Sequence, residues 1–156
     1  MDGDTGEEIQ LVVFKLNEEE YGVEINQVKE IIKKTRITRI PKAPSFLEGV
    51  INLRGQITAV LDLKKRLGLK GESGEDISSR IIIVEVENTV VGMIVDSVSE
   101  VLRMNVKDID PTPSISTEIE AEYLKGVGKY GDRLIILLDL AKILTPKEVA
   151  KVKEIQ

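Results

Sequence analysis

Apolar positions along this chain come in short runs of four to eight residues, broken by glycine, proline or charged pairs, with no sustained helical stripe before the C-terminus. Such spacing predicts strands rather than helices. Ile9 to Leu16 reads as a strand with Leu11 and Val13 buried, and Val12 and Phe14 are candidates for the same fate. A polar turn over Asn17-Glu18-Glu19-Glu20 leads to a second strand, where Tyr21, Val23 and Ile25 alternate on one face. Asn26 to Lys34 is ambiguous: Val28, Ile31 and Ile32 fit a helical turn, and the β-branched residues favour extension. Thr35 to Ile40 alternates and predicts a strand, stopped by Pro41 and Pro44.

From Phe46 to Leu69 the pattern is sharper. Val50, Ile51 and Leu53 run into an Arg54-Gly55 turn and return as Ile57 to Leu61, a tight hairpin. Asp62 then suits the N-cap of a short helix over Leu63 to Leu67, and Gly68 a left-handed stop. Lys70 to Ser79 is the clearest linker, rich in glycine, serine and acid. A second hairpin is expected from Ile81 to Val86 and Val90 to Val95. Val98, Val101 and Leu102 follow, and then a long irregular crossing loop from Asn105 to Glu122, interrupted by Pro111 and Pro113, with room for one helical turn. Thr145-Pro146-Lys147-Glu148 forms a capping box ahead of a helix with Val149, Val152 and Ile155 on one face.

The chain repeats itself. Tyr123 to Leu144 aligns with Phe46 to Leu67 at a constant offset (126 − 49 = 77), pairing Gly49 with Gly126 and Asp62 with Asp139. Leu11 to Ile32 aligns with Ile81 to Leu102 at a second offset (92 − 22 = 70), pairing Gly22 with Gly92, Val28 with Val98 and Glu30 with Glu100. Two ordered blocks with apolar positions in phase point to an internal duplication. The halves span about 9–70 and 78–145, with exchange of strands between them left open. Residues 1–8 read as an acidic disordered tail and 146–156 as a terminal helix. Two small β-barrels or a sandwich follow from this pattern.

Length and composition narrow the function. A chain of 156 residues buries enough surface for a core without staples, whereas a half of that size would be marginal. It contains no cysteine and no histidine. That removes thiolate zinc sites, thiol nucleophiles and the commonest general base. The 22 basic and 27 acidic side chains leave a net charge of −5, and aromatics make up only 3%. Both argue against a nucleic-acid binder. No apolar run is long enough to span a bilayer, and no metal or other cofactor is expected.

The repeated Asp62 and Asp139 could in principle form a carboxylate dyad between pseudo-symmetric halves, a hydrolase reading. The residues that follow, Leu63-Lys64 and Leu140-Ala141, suit a helix start instead, so both are expected to be caps. Arg54 is an unusual residue for a turn that needs positive φ, and a long planar donor at a rigid tip is well placed to recognise a protein. Val28, Ile31, Val98 and Val101 are core residues in the simplest reading. If part of that set is exposed, it marks an interaction surface.

The runs EEYGVEINQVKEI, TRIPKAPSFLEGVINLRGQITAVLDL, VVGMIVDSVSEVL and YLKGVGKYGDRLIILLDL resemble the CheW family of bacterial chemotaxis coupling proteins. The resemblance covers roughly residues 9–145. It implies two five-stranded SH3-like barrels and a non-catalytic adaptor. The implied partners are the cytoplasmic tips of methyl-accepting chemoreceptors and the regulatory domain of the chemotaxis histidine kinase. It implies a cytoplasmic protein recruited to membrane-bound receptor arrays, with no membrane insertion of its own. Positions matching Val28, Glu30, Arg54, Val98 and Val101 are implied to bind partners, with Gly49 and Gly55 holding the hairpin.

Overall fold

The computed structural model describes residues 7–71, 77–111 and 121–156. In chain order the strands are β1 Glu8–Leu16, β2 Glu19–Glu24, β3 Val28–Lys33, β4 Leu47–Leu53, β5 Gln56–Asp62, β6 Arg80–Val86, β7 Thr89–Val95, β8 Ser97–Asn105, β9 Ile109–Asp110, β10 Leu124–Tyr130 and β11 Arg133–Leu138. Two helices join them, α1 Leu63–Arg66 and α2 Pro146–Ile155. The protein is mainly β, as the strand-sized apolar runs predict.

The strands form two sheets, ordered β8-β1-β2-β11-β10-β9 and β3-β6-β7-β5-β4. Each sheet therefore borrows a hairpin from the other half of the sequence. The β1–β2 hairpin completes the sheet of the second half, and β6–β7 completes that of the first. The repeat explains this order. Replacing each strand by its repeat partner turns β8-β1-β2-β11-β10 into β3-β6-β7-β5-β4. Even the register survives: Leu137 lies opposite Gly22, as Val60 lies opposite Gly92, in the two parallel pairings.

Alternate residues of the borrowed strands enter different cores. Leu11 and Val13 pack with Leu102, Ile135 and Leu137. Ile81 and Ile83 pack with Ile51, Val60 and Ile94. The intervening Val12, Phe14, Ile82 and Val84 join a larger cluster with Tyr21, Leu61, Met93 and Leu138. The two small clusters fill the two barrel-like sheets, and the large one welds them together. A strand buried on both faces must be apolar throughout, which is why these segments read as unbroken runs rather than alternating ones. At ~1.5–3 kcal/mol for each large apolar side chain buried, the shared cluster is the main source of cohesion.

Local signals behave as their chemistry requires. The Asp62 carboxylate accepts from the Lys64 N–H at 3.0 Å and Asp139 from the Ala141 N–H at 3.1 Å. The capping box is complete, with Thr145 accepting from Glu148 N–H and Glu148 from Thr145 N–H. Val149 and Val152 of α2 are buried in the large cluster. The ambiguous segment resolves into a 3-10 turn over Ile25–Gln27 and then β3.

Three expectations need correction. Thr35 to Ile40 is not a strand: only Thr38 pairs, in a single bridge to Val50, because the chain turns at Pro41 and Lys42, where φ is +65°. The acidic tail is shorter than expected, since the Glu7 carbonyl accepts from Val106 N–H and Glu8 already pairs with Asn105 in β1. The crossing stretch from Asn105 to Glu122 holds more than the one expected helical turn: besides 3-10 turns at Val106–Asp108 and Ala121–Tyr123 it includes the short strand β9. The rest of it, residues 112–120, lies outside the described residues, as do 1–6 of the tail and 72–76 of the linker.

Gly49 and Gly126 mark the closest backbone approaches. A Cβ on Gly49 would stand 2.4 Å from the Thr38 carbonyl oxygen, and one on Gly126 would stand 2.8 Å from that of Asp110. Gly55, with φ +86°, has nothing within 4 Å of an added Cβ. Gly49→Ala is therefore expected to destabilise by at least ~2 kcal/mol, against ~1 kcal/mol for Gly55→Ala, which carries backbone strain alone. Urea denaturation of the two variants checks the order. Equal losses would show that the contact at Thr38 is not a constraint.

Candidate partner-binding surface

The Arg54-Gly55 turn takes positive φ at both residues, +51° and +86°, the geometry of the tightest hairpin connection. Asn52 fixes it by accepting the Gly55 N–H at 2.7 Å. The Arg54 side chain is 71% exposed. It is nevertheless engaged. Its guanidinium donates twice to the Glu30 carboxylate, once at 2.9 Å and once through Nη2 to Oε2. Arg54 belongs to the β4–β5 tip and Glu30 to β3, the far edge of the same sheet. The pair can form only because the sheet curls until its ends approach. The Arg54 guanidinium holds the Glu30 carboxyl below the usual carboxylate range.

β3 carries a bulge between Val28 and Glu30. It lets Val28 pack against the shared core, half-buried, while Glu30 turns outward to the arginine. The same device recurs on β8. Glu100 and Val98 flank the point where the β1–β8 register shifts. Val98 is half-buried against the shared core, Val101 is 51% exposed, and its repeat partner Ile31 is also exposed. The four apolar candidates thus divide into two half-buried and two exposed.

The structure brings Glu30 and Arg54 into contact and sets Val28 near Glu30 on β3. Val98 and Val101 lie on the edge of the other sheet. That second edge has its own arginine, which the sequence reading missed. Arg133 donates to Glu100 at 2.7 Å and to Glu20 through Nε at 3.0 Å and Nη2 at 2.6 Å. The Tyr130 ring centroid lies 5.6 Å from its guanidinium carbon. The hydrogen bonds from Arg133 push the Glu20 carboxyl below its ordinary range and raise the arginine further above its own. The only sequence signal was Glu100 at the repeat position of Glu30. Its partner could not be found by offset, because Gly131 stands where Arg54 stands in the first copy.

A groove of about 800 Å³ runs beside the Arg54 tip, between Glu30, Ile57, Val90 and the C-terminal Gln156. Asp62 and Asp139 contribute no reactive pair to any such opening, since each is spent on its own helix or turn. Among the described residues no group of three or more acidic side chains is placed to hold a metal ion, and no helix is long and apolar enough to cross a membrane.

Comparison with known proteins decides the family. The model of the CheW-like domain matches residues 10–148. The chain belongs to the CheW family. The chemotaxis protein CheW of Treponema pallidum is 38% identical over 93% of this chain and 87% of its own length. That of Klebsiella aerogenes is 37% identical over 94% and 87%. The crystal structure of the scaffolding protein TtCheW from Thermoanaerobacter tengcongensis superposes with a TM-score of 0.80 at 43% identity, covering 89% of each chain. CheW proteins are scaffolds without catalytic activity, and this chain is a chemotaxis scaffold of that kind, not a hydrolase.

Because Glu20 ionises more readily in the fold than in the unfolded chain, its pair with Arg133 stabilises above the unfolded value. That stabilisation is lost as pH falls through the folded value. Arg133→Gln is thus expected to lower stability near neutral pH, with the gap to the parent closing between roughly pH 5 and pH 3. Urea melts across that range test it. A gap that stays constant would mean that Arg133 acts by packing on Tyr130 and not through its carboxylates.

Proposed function

We propose that this chain couples the cytoplasmic tips of chemoreceptors to the regulatory domain of the chemotaxis histidine kinase. It works in the cytoplasm and is recruited to receptor arrays at the membrane. Residues 9–145 act as one adaptor domain, with 146–156 a helix packed on it. Val28, Glu30 and Arg54 on one sheet, and Val98 and Val101 on the other, are its partner-binding residues, and Gly49 and Gly55 hold the hairpin that presents Arg54.

The observation that carries this reading is the pair of edge strands, β3 and β8. Each offers a half-buried valine, an ion-paired glutamate and an exposed aliphatic side chain in the same order. Edge strands with apolar side chains are surfaces that proteins use for pairing and docking, and charges beside them set the choice of partner. Two such surfaces on one rigid body suit a molecule that bridges two partners.

Arg54→Asn and Val101→Asp separate binding from folding. Asparagine tolerates the positive φ at position 54, so the first variant should melt within a degree or so of the parent. Val101 is exposed, so the second should fold as well. Each is expected to weaken binding to a receptor-tip fragment or the kinase regulatory domain by roughly tenfold or more. Val98→Asp is a poorer probe, because a charge against the shared core should destabilise the fold itself. Normal affinity of both stable variants for both partners would remove these residues from the site.

A further inference from the structure

The repeat gives each local feature a twin, so a side chain buried in one copy can be compared with whatever stands in the other. Lys64 is the clearest case. It follows the Asp62 cap in α1, and its side chain is only 6% exposed. The ammonium lies 3.1 Å from the Asp96 carboxylate and 3.1 Å from Asn17 Oδ1. The Asn17 N–H donates to the same aspartate at 2.7 Å. The chain after α1 closes over this cluster, with Asn17 Nδ2 donating to the Lys70 carbonyl at 3.3 Å. A carboxylate and an amide oxygen here replace the water that an ammonium otherwise requires.

In the second copy the offset of 77 puts Ala141 at the place of Lys64 (64 + 77 = 141), and Asp139 caps its N–H just as Asp62 caps that of Lys64. The offset of 70 puts Asn26 at the place of Asp96 and Glu87 at that of Asn17 (96 − 70 = 26; 17 + 70 = 87). These three residues meet around an open cavity of about 380 Å³. The alanine leaves the room that the lysine side chain fills in the first copy. The carboxylate and the amide have traded places, yet one of each still lines the space.

Glu87 adds an independent sign. It holds φ +49° in the β6–β7 turn, a left-handed conformation that asparagine accepts and glutamate bears at a cost. Among the described residues nothing hydrogen-bonds its carboxylate. The neighbouring Glu85, also on the cavity wall, is paired with Lys29 at 3.1 Å, which leaves Glu87 as the available acid.

We propose that this cavity is a socket for the side chain of a lysine presented by a partner protein. Glu87 and Asn26 receive the ammonium there as Asp96 and Asn17 receive that of Lys64. A lysine fits better than an arginine. The twin site is built for a compact ammonium on a long stem, whereas a planar guanidinium asks for paired acceptors in one plane. The socket adjoins the edge strand β3, whose Lys29 shares the cavity wall and is held there by Glu85, and its existence does not depend on the coupling role proposed above.

The test is a titration of the full chain with Nα-acetyl-lysine N-methylamide at constant ionic strength, followed in amide proton–nitrogen spectra. Saturable shifts centred on Asn26, Glu87 and Ala141 are expected. They should be much weaker with the Nε-acetylated probe and with the arginine analogue. Glu87→Gln should weaken binding several-fold. Ala141→Lys should supply its own ammonium and abolish binding while leaving the remaining spectrum intact. If that variant fails to fold, Glu87→Gln decides alone. Shifts that do not saturate or lie elsewhere, equal response to the acetylated probe, a stronger response to the arginine analogue, or unchanged binding by Glu87→Gln would each overturn the proposal.

Discussion

The parallel pairings of β2 with β11 and of β7 with β5 are the joints on which everything else rests. At each joint a hairpin from one half of the sequence completes the sheet of the other, and a glycine stands at the meeting point. A Cβ on Gly22 would come within 3.2 Å of Ile135, and one on Gly92 within 3.3 Å of Val60. Neither half can close its own barrel without the borrowed hairpin. The strands so exchanged bury one face in a small local core and the other in the shared one. The two edges proposed to bind partners, β3 and β8, are thereby held in a fixed relation by the interior.

Much of this was legible in the chain because the code was written twice. The two offsets, 77 and 70, differ by seven residues, the extra length of the second copy between its blocks. Pattern alone could not say that LVVF and IIIV are buried on both faces, since an unbroken apolar run fits one buried face or two. Nor could it assign the exchange, which leaves the local pattern of each strand unchanged. TRITRI alternates as well as any strand in the molecule. It fails to become one because Lys42 turns the chain away after Thr38 has made its single bridge, and its counterpart in the second copy manages only the two residues of β9.

The site was half legible for the same reason. Arg54 stood out because a turn with positive φ disfavours it, a local fact. Its grip on Glu30 is not local: β3 and the β4–β5 tip are remote in strand order and meet only through the curl of the sheet. Arg133 was hidden because the duplication kept the glutamate and moved the arginine. A contact preserved in space by shifting one partner along the chain leaves no trace at a fixed offset. That two copies maintain an arginine–glutamate pair between hairpin and edge strand by different sequence routes argues that the clasp itself matters. It keeps an edge strand with exposed Ile31 or Val101 in a defined shape, less open to indiscriminate pairing.

Native-state hydrogen exchange addresses the exchanged-hairpin architecture most directly. If each sheet depends on the other half, amides of Val12 and Ile136 in one sheet and of Ile82 and Val60 in the other should open only in global unfolding. They should show one common free energy and one common denaturant dependence. Exchange of one sheet's amides at a markedly lower free energy, while the other stays closed, would mean that the barrels stand independently and would contradict the account.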